Sequence, residues 1–344
     1  IGISIGNYWQ NKADGETVNE AFEFTVQTDN AGTSAADQFT IPITSATPYN
    51  ISTSDGQSIT GATGATTLTF PSPGTYTVSI TDSCEGLQFN NTGDKLKLLD
   101  ISNWGVFKST VERTFYGCSN MTCSAIEPPI NPQLTCRYIF AACVNFNGAI
   151  GNWDVSSVTD FSFCFNGCSS FDQNISNWNV SSAILMEYMF SYGSFNNGGD
   201  PGINNWNTSN LLGNQAMNNM FAFNSSFNQP IGNWDVSGVT NFKEMFRGAS
   251  SFNQDLNFWN TSNVTNMQQM FDGASAFNGN VSTWDVTKVT SGLAPYRLFA
   301  SSGFNGDLSS WNVSTWSSLY GVFQSSAFNN NSISNWNVSN VNRF

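Results

Sequence analysis

Histidine is missing from this 344-residue sequence, and charge of either sign is scarce. Its 24 acidic and 11 basic side chains make up 10% of the chain and leave a net charge of −13, where an ordinary soluble protein is about 25% charged. Without His there is no Ser-His-Asp or Cys-His nucleophile system and no His-ligated zinc or haem. So few Lys and Arg make a poor partner for nucleic acid, whose binding rests on neutralising phosphates, and for anionic membrane surfaces. No long apolar run of the kind that forms a transmembrane helix occurs, so no membrane insertion is expected. Scarce charge does not mean disorder here, because 40% of residues are hydrophobic and 14% aromatic, too many for the disordered class.

Most of the aromatic content is a repeat, the first thing to seek in a chain of this kind. Trp153, Trp178, Trp206, Trp234, Trp259, Trp284, Trp311 and Trp336 lie 25 to 28 residues apart, each opening a Trp-(Asp/Asn)-(Val/Thr)-(Ser/Thr) tetrapeptide. A phenylalanine follows 12 or 15 residues later: Phe165, Phe190, Phe221, Phe246, Phe271, Phe299 and Phe323. A second comes five or six residues on, usually before Asn, as in Phe252-Asn253 and Phe277-Asn278. Alternation around Trp259 and Thr261 predicts a strand. The three-residue stepping through Met267 and Met270 predicts a short 3₁₀ or helical turn. A unit this small cannot bury its apolar face alone, so the pattern predicts a solenoid of stacked coils, roughly 45 Å long at ~4.8 Å per coil. The repeat begins near residue 95, and 119–139 reads as a degenerate, proline-rich coil without Trp. Gly193–Gly202 reads as an inserted loop.

Residues 1–94 differ. They hold ten acidic residues against the single Lys12, so −9 of the net charge is theirs. Short alternating runs (Phe22–Val26, Phe39–Ile43, Thr67–Phe70, Tyr76–Ile80) separated by Gly, Ser, Asp and Pro predict an acidic Ig-like β-sandwich. The fold expected is mainly β, with a sandwich over 1–94 and a leucine-rich-repeat-like solenoid of ~25-residue coils over 95–344.

The best copies, Trp234–Asn253 and Trp259–Asn278, resemble the BspA-type leucine-rich repeats also seen in mycoplasma surface lipoproteins. Pro73–Ile80 resembles the last strands of polycystic-kidney-disease-type Ig-like domains, although the usual Trp-Gly-Asp-Gly turn is present only as Ser54-Asp55-Gly56. The resemblance implies an extracellular, cell-surface or virion-surface protein working in adhesion or scaffolding, not catalysis.

Three ladders carry candidate chemistry. The Trp column either stacks on sugar rings or fills the core. A large ring at a leucine-repeat position favours the core, with Trp316 and Trp9, outside the register, as exposed candidates. The residue after each Trp, with Asp154, Asp235 and Asp285 among them, offers oxygen ligands for calcium. With Asn at most rungs, an axial ladder of stacked amides is favoured instead, and no cofactor is expected. Cys118, Cys143 and Cys168 fall 25 apart, at neighbouring-coil positions within disulfide reach. Cys123 with Cys136 would close the proline-rich loop. The alternative, small buried apolar residues, stays open. Thirteen Asn-x-Ser/Thr sequons are mostly by-products of the repeat. Lys95, Lys97, Lys108, Arg113 and Arg137 cluster after the acidic segment and either bridge to it or are solvated.

No pair of carboxylates suited to glycosidase chemistry stands out. The expected function is therefore non-enzymatic: a surface-exposed structural or adhesive protein recognising protein or glycan on a cell surface. The alternative is a repeated subunit of a virion surface, fibre or extracellular filament, and a polysaccharide-acting enzyme is a distant third. The chain opens on Ile1, from which either a removed leader or a longer product is expected, and ends on an unfinished repeat, from which end-on self-association is expected.

Overall fold

The computed structural model describes residues 20–130, 133–290 and 295–344. The chain is mainly β. Among the described residues the helical elements are two short 3₁₀ turns, Asn197–Gly199 and Pro201–Asn205, in the inserted segment.

The N-terminal region is built from β1 (Phe22–Gln27), β2 (Gln38–Ile41), β3 (Tyr49–Thr53), β4 (Ser58–Ala62), β5 (Thr66–Thr69), β6 (Thr75–Thr81) and the two-residue β7 (Cys84–Glu85). Three further strands follow: β8 (Leu98–Asn103), β9 (Phe107–Lys108) and β10 (Thr122–Cys123). Alternation sets their faces. Phe22, Phe24 and Val26 of β1 point inward, and Glu23, Thr25 and Gln27 point outward. The main sheet has the order β10-β8-β1-β6-β3-β4, and the β2-β5 pair packs on it with Phe39 against Phe24 at 5.8 Å. The β3-β4 hairpin escapes the sequence reading because Ser58–Ala62 has a single large apolar residue, the partly buried Ile59, and so no apolar alternation. Beyond residue 94 the same sheet continues. β8 pairs antiparallel with β1, and β10 pairs parallel with β8.

From residue 109 the chain is a stack of similar units joined by isolated parallel bridges such as Asp160↔Leu185 and Asn241↔Asn266. The strand expected at Trp259 and Thr261 is not formed. The chain makes tight turns there, with Trp259 N–H on Leu256 O (3.1 Å) and Val264 N–H on Thr261 O (2.9 Å). Nor does a helix form before each phenylalanine. Around Phe246, Glu244, Phe246 and Gly248 donate to Gln268, Met270 and Asp272 of the following unit at 2.8–2.9 Å. Between them, i→i−3 turns close within the unit. The cause is an alternation of backbone handedness: Glu244 (φ 55°) and Gly248 (φ 67°) are left-handed on either side of Phe246. This turns successive donors to one side, and a helix cannot propagate through it. The position two before the phenylalanine is left-handed and not glycine in eight units, from Arg113 to Arg297.

Two aromatic columns run through the stack. Phe115, Phe140, Phe165, Phe190, Phe221, Phe246, Phe271, Phe299 and Phe323 lie 5.5–5.8 Å from ring to ring and nearly parallel. Phe146 to Phe328 form the second column at 5.8–6.4 Å. One hydrophobic core runs from Phe22 to Val322 across both regions.

Candidate functional site

The eight repeat tryptophans are inside. All but the half-buried Trp336 are 2–4% exposed, and most donate their indole N–H to a backbone carbonyl of the preceding unit. Trp259 reaches Ile231 O at 3.0 Å and Trp284 reaches Leu256 O at 2.9 Å. Trp153, after the Trp-less coil, and Trp206, after the inserted segment, have no such acceptor. Their burial leaves no ring face for a sugar. The repeat phenylalanines are buried too, with Phe323 partly so. Trp316 is not exposed as expected. It is 1% accessible, packed edge-on against Trp311 and Trp336, with its N–H 3.3 Å from Val286 O. Trp9 lies outside the described residues.

The amide ladder exists, but in a different column from the one expected. After each Trp, the Asn or Asp turns back on its own unit. Asp154 accepts from Ser156 N–H and Oγ (3.0 and 2.6 Å), Asp235 from Ser237 N–H (2.9 Å), and Asp285 from Thr287 N–H and Oγ1 (2.9 and 2.6 Å). These are Asx turns, the local competitor of axial bonding. The hydroxyl and amide donors hold the Asp235 and Asp285 carboxyls below the ordinary range. Among the described residues no group of three or more acidic or Cys side chains comes together as a metal site.

The axial ladder runs through the residue after the second phenylalanine. Asn147, Asp172, Asn196, Asn228, Asn253, Asn278 and Asn305 each accept the backbone N–H of the next rung at 2.7–3.0 Å, ending on Asn329. The Phe-Asn pairs in the sequence carried that signal.

No disulfide joins the cysteines, all seven of which are free thiols. Cys143 and Cys168 fail to bridge because each donates inward to a backbone carbonyl, of Phe115 (3.0 Å) and Phe140 (2.8 Å). Cys118 is buried with them, and burial pushes its thiol far up. Cys123 and Cys136 are not paired either. The Cys123 thiol leans on Ala125 O and is pushed by burial to about 12, while Cys136 faces Cys164. These are inert, core-filling thiols.

Of the basic cluster, Lys97 does reach the acidic region. It is 1% exposed, and its Nζ donates to Ser34 O, Ser34 Oγ, Ala35 O and Gln38 O at 2.8–3.1 Å. Asp94 beside it binds Thr33, Ser34 and Thr40 N–H groups, and the Ser34 and Thr40 donors with Lys97 outweigh burial to hold its carboxyl low. This is a structural clamp on the 33–40 loop.

Arg113 and Arg137 go elsewhere, to a surface that the sequence reading missed. Along the phenylalanine ladder the outward side chains form one face. Tyr116, Tyr138, Phe163 and Tyr188 follow ring on ring at 5.7, 4.4 and 4.6 Å. Tyr192 and Phe223 continue the face at 4.9 Å, and Tyr296 with Tyr320 at 5.7 Å. Arg113 and Arg137 lie over Tyr138 (5.0 and 5.8 Å), Arg247 over Phe223 (5.2 Å) and Arg343 over Tyr320 (4.1 Å). Arg297, beside Tyr296, makes a two-pronged pair with Asp272 at 3.0 Å and reaches Gln324. Every arginine of the chain is therefore on this face, with six of the nine tyrosines. Glu112 and Asp160 flank Arg137 at 3.7 and 3.8 Å, and Glu244 binds Arg247 at 2.9 Å. Burial raises the Tyr138 and Tyr188 hydroxyls and the Glu187 carboxyl.

No helix among the described residues is long and apolar enough to cross a membrane. No curated protein and no solved structure matches the chain. The model of a family described as "Mycoplasma protein of unknown function, DUF285" matches residues 109–212, 196–297 and 296–344. Those segments take in the whole stack of units and well over half of the sequence, and the chain belongs to that family.

Proposed function

We propose that the chain is a non-enzymatic, surface-exposed structural or adhesive protein. In this reading the stacked units are a BspA-type, leucine-rich-repeat-like solenoid, and the N-terminal sheets are an Ig-like sandwich at its head. The arginine–tyrosine face recognises a protein partner outside the cell. One observation carries this: all five arginines and two thirds of the tyrosines of a charge-poor chain share one exposed face. Tyr and Arg are the residues enriched at protein interfaces and their hot spots. The same geometry argues against a sugar platform. The faces of Tyr138, Phe163 and Tyr188 are covered by one another, so only ring edges and hydroxyls point outward, whereas sugars stack on faces.

The test is binding of the purified protein to an array of extracellular protein domains and to a glycan array. The expected result is a protein hit that weakens at least tenfold on Arg113→Ser with Tyr138→Ser, and no glycan hit. A glycan hit indifferent to those substitutions, or turnover of a polysaccharide, overturns the reading. A structural subunit of a fibre or particle surface is the second reading, favoured by the charge pattern below.

A further inference from the structure

We propose that the arginine–tyrosine face docks the acidic N-terminal sheet of a second copy of this chain. The inference rests on the reading of that face as a protein-binding surface, and it names the partner. The charge distribution of the chain is divided between two regions. Residues 20–94 carry eight carboxylates and no Lys or Arg, and among the described residues no ion pair is formed to any of them. Glu23 is on the outward side of β1, half-exposed, with Ser79 Oγ donating to it at 3.1 Å. Glu20 and Asp82 are exposed at the same end of β1 and β6. Around them the sheet offers hydroxyls (Thr25, Thr77, Ser79, Ser102) and a further carboxylate, Asp100, opposite Thr25.

The other face carries six of the eleven basic residues, namely the five arginines and Lys243. Arg113 and Arg343 form no ion pair among the described residues, and their guanidinium planes are held over Tyr138 and Tyr320. A guanidinium fixed by a ring beneath it keeps its fork of donors for a carboxylate. The ring edges beside it carry the positive side of the aromatic quadrupole. Arg113 and Arg343 are guanidiniums without a carboxylate, and Glu23 and Asp82, which take only a neutral hydroxyl and amide donor, are carboxylates without a cation; the two faces are complementary. The net −13 of each copy opposes the contact only within a screening length of about 8 Å at physiological salt. Because the two patches differ, the contact is head-to-side. Such contacts close into a ring or continue as a filament.

Sedimentation equilibrium of the intact protein tests this, at about 0.02 M and about 0.5 M salt. The wild type is expected to self-associate at low salt and to weaken at least tenfold at high salt. Arg113→Glu with Arg137→Glu should be monomeric, and so should Glu23→Lys with Asp82→Lys. An equimolar mixture of the two charge-reversed proteins should associate again, since each keeps one intact patch. Arg113→Gln with Arg137→Gln serves if the first pair fails to fold, with at least tenfold weakening expected. A wild type that stays monomeric at low salt, or association untouched by both pairs of substitutions, overturns the proposal. A monomer that still binds an arrayed protein through Arg113 and Tyr138 overturns self-docking and leaves the recognition face standing. Self-association with silent arrays supports the docking and confines the face to copies of this chain.

Discussion

The two regions of the molecule hold together by opposite means. In the N-terminal sheets each contact is made once. Among the described residues Lys97 is the one ammonium that ties the 33–40 loop, through four acceptors supplied by residues about sixty positions away. In the stack each contact is made many times, with a partner about 25 residues along: a ring on a ring, an indole on a carbonyl, an amide on an N–H. A unique contact concentrates stability in a few residues, whereas a repeated one spreads it, so that no single rung decides the fold.

Removing the clamp is expected to cost as much as any change in the stack. Lys97→Met keeps the length of the side chain but takes this donor from the carbonyls of Ser34 and Ala35, leaves Gln38 O with the Ser34 hydroxyl alone, and leaves Asp94 without its counter-charge. A loss of about 3–5 kcal/mol is expected, read as the urea midpoint at constant m-value. The acid limb of the same experiment has a definite sign. The folded Asp94 carboxyl lies below its ordinary value. Its contribution is therefore complete above the unfolded value near ~3.9 and lost as pH falls through the folded one. Wild type should lose stability over that range, and Asp94→Asn, less stable at neutral pH, should show a flatter acid limb. Equal acid limbs would remove Asp94 from the account.

Cutting one rung of the central column comes next. Phe246 is fully buried between Phe221 and Phe271, and Phe246→Ala is expected to cost about 3–5 kcal/mol. The same change at the partly buried Phe323 should cost less than half of that in thermal melts. Equal losses at the two sites would mean that the stack unfolds as one block and burial does not set the rung's weight.

Much of this organisation is legible from residue types, because Trp and Phe recur at spacings that only stacked units explain. The ladder was assigned to the wrong column for a physical reason. Both columns are rich in Asn and Asp, and both accept a backbone N–H. Asn260 takes that of Ser262, two places on, and closes an Asx turn, while Asn253, after Phe252, takes that of Asn278 in the next unit; the path of the backbone, not the residue type, decides which N–H is in reach. The arginine–tyrosine face is harder to read. Its members occupy four different positions relative to the buried phenylalanine: Tyr116 one after, Tyr138 two before, Tyr192 two after and Tyr296 three before. Only the alternation of left- and right-handed residues brings these positions to one side, and nothing in a residue such as Tyr138 or Glu244 announces a positive φ.

The ladder assignment can be sharpened by a smaller effect. Asn253→Ala removes the acceptor of Asn278 N–H (2.8 Å) and should cost about 1 kcal/mol. Asn253→Asp should be nearly neutral above the carboxylate range, because Asp172 already fills the equivalent rung and accepts Asn196 N–H at 2.7 Å. If Ala and Asp are equally harmful, the amide's own N–H donors, not its oxygen, carry the ladder.

The smallest effect tests the backbone. Gln269 is left-handed (φ 53°) two places before Phe271, and its N–H is held by Tyr296 O at 2.8 Å. Gly321 fills the same position before Phe323 with φ 67°. A side chain in that region carries strain of order 1 kcal/mol that glycine escapes. Glycine also widens the unfolded ensemble, and the bond from Gln269 to Asp272 (3.1 Å) is lost. These terms oppose one another at similar size, so Gln269→Gly should change stability by no more than about 1 kcal/mol in either direction. Glycine at the neighbouring Met270, buried and free of strain, should cost several times as much. If both substitutions cost the same, the alternating handedness is not what sets the ladder, and the contrast between a unique clamp and a repeated backbone would have to rest on the side chains alone.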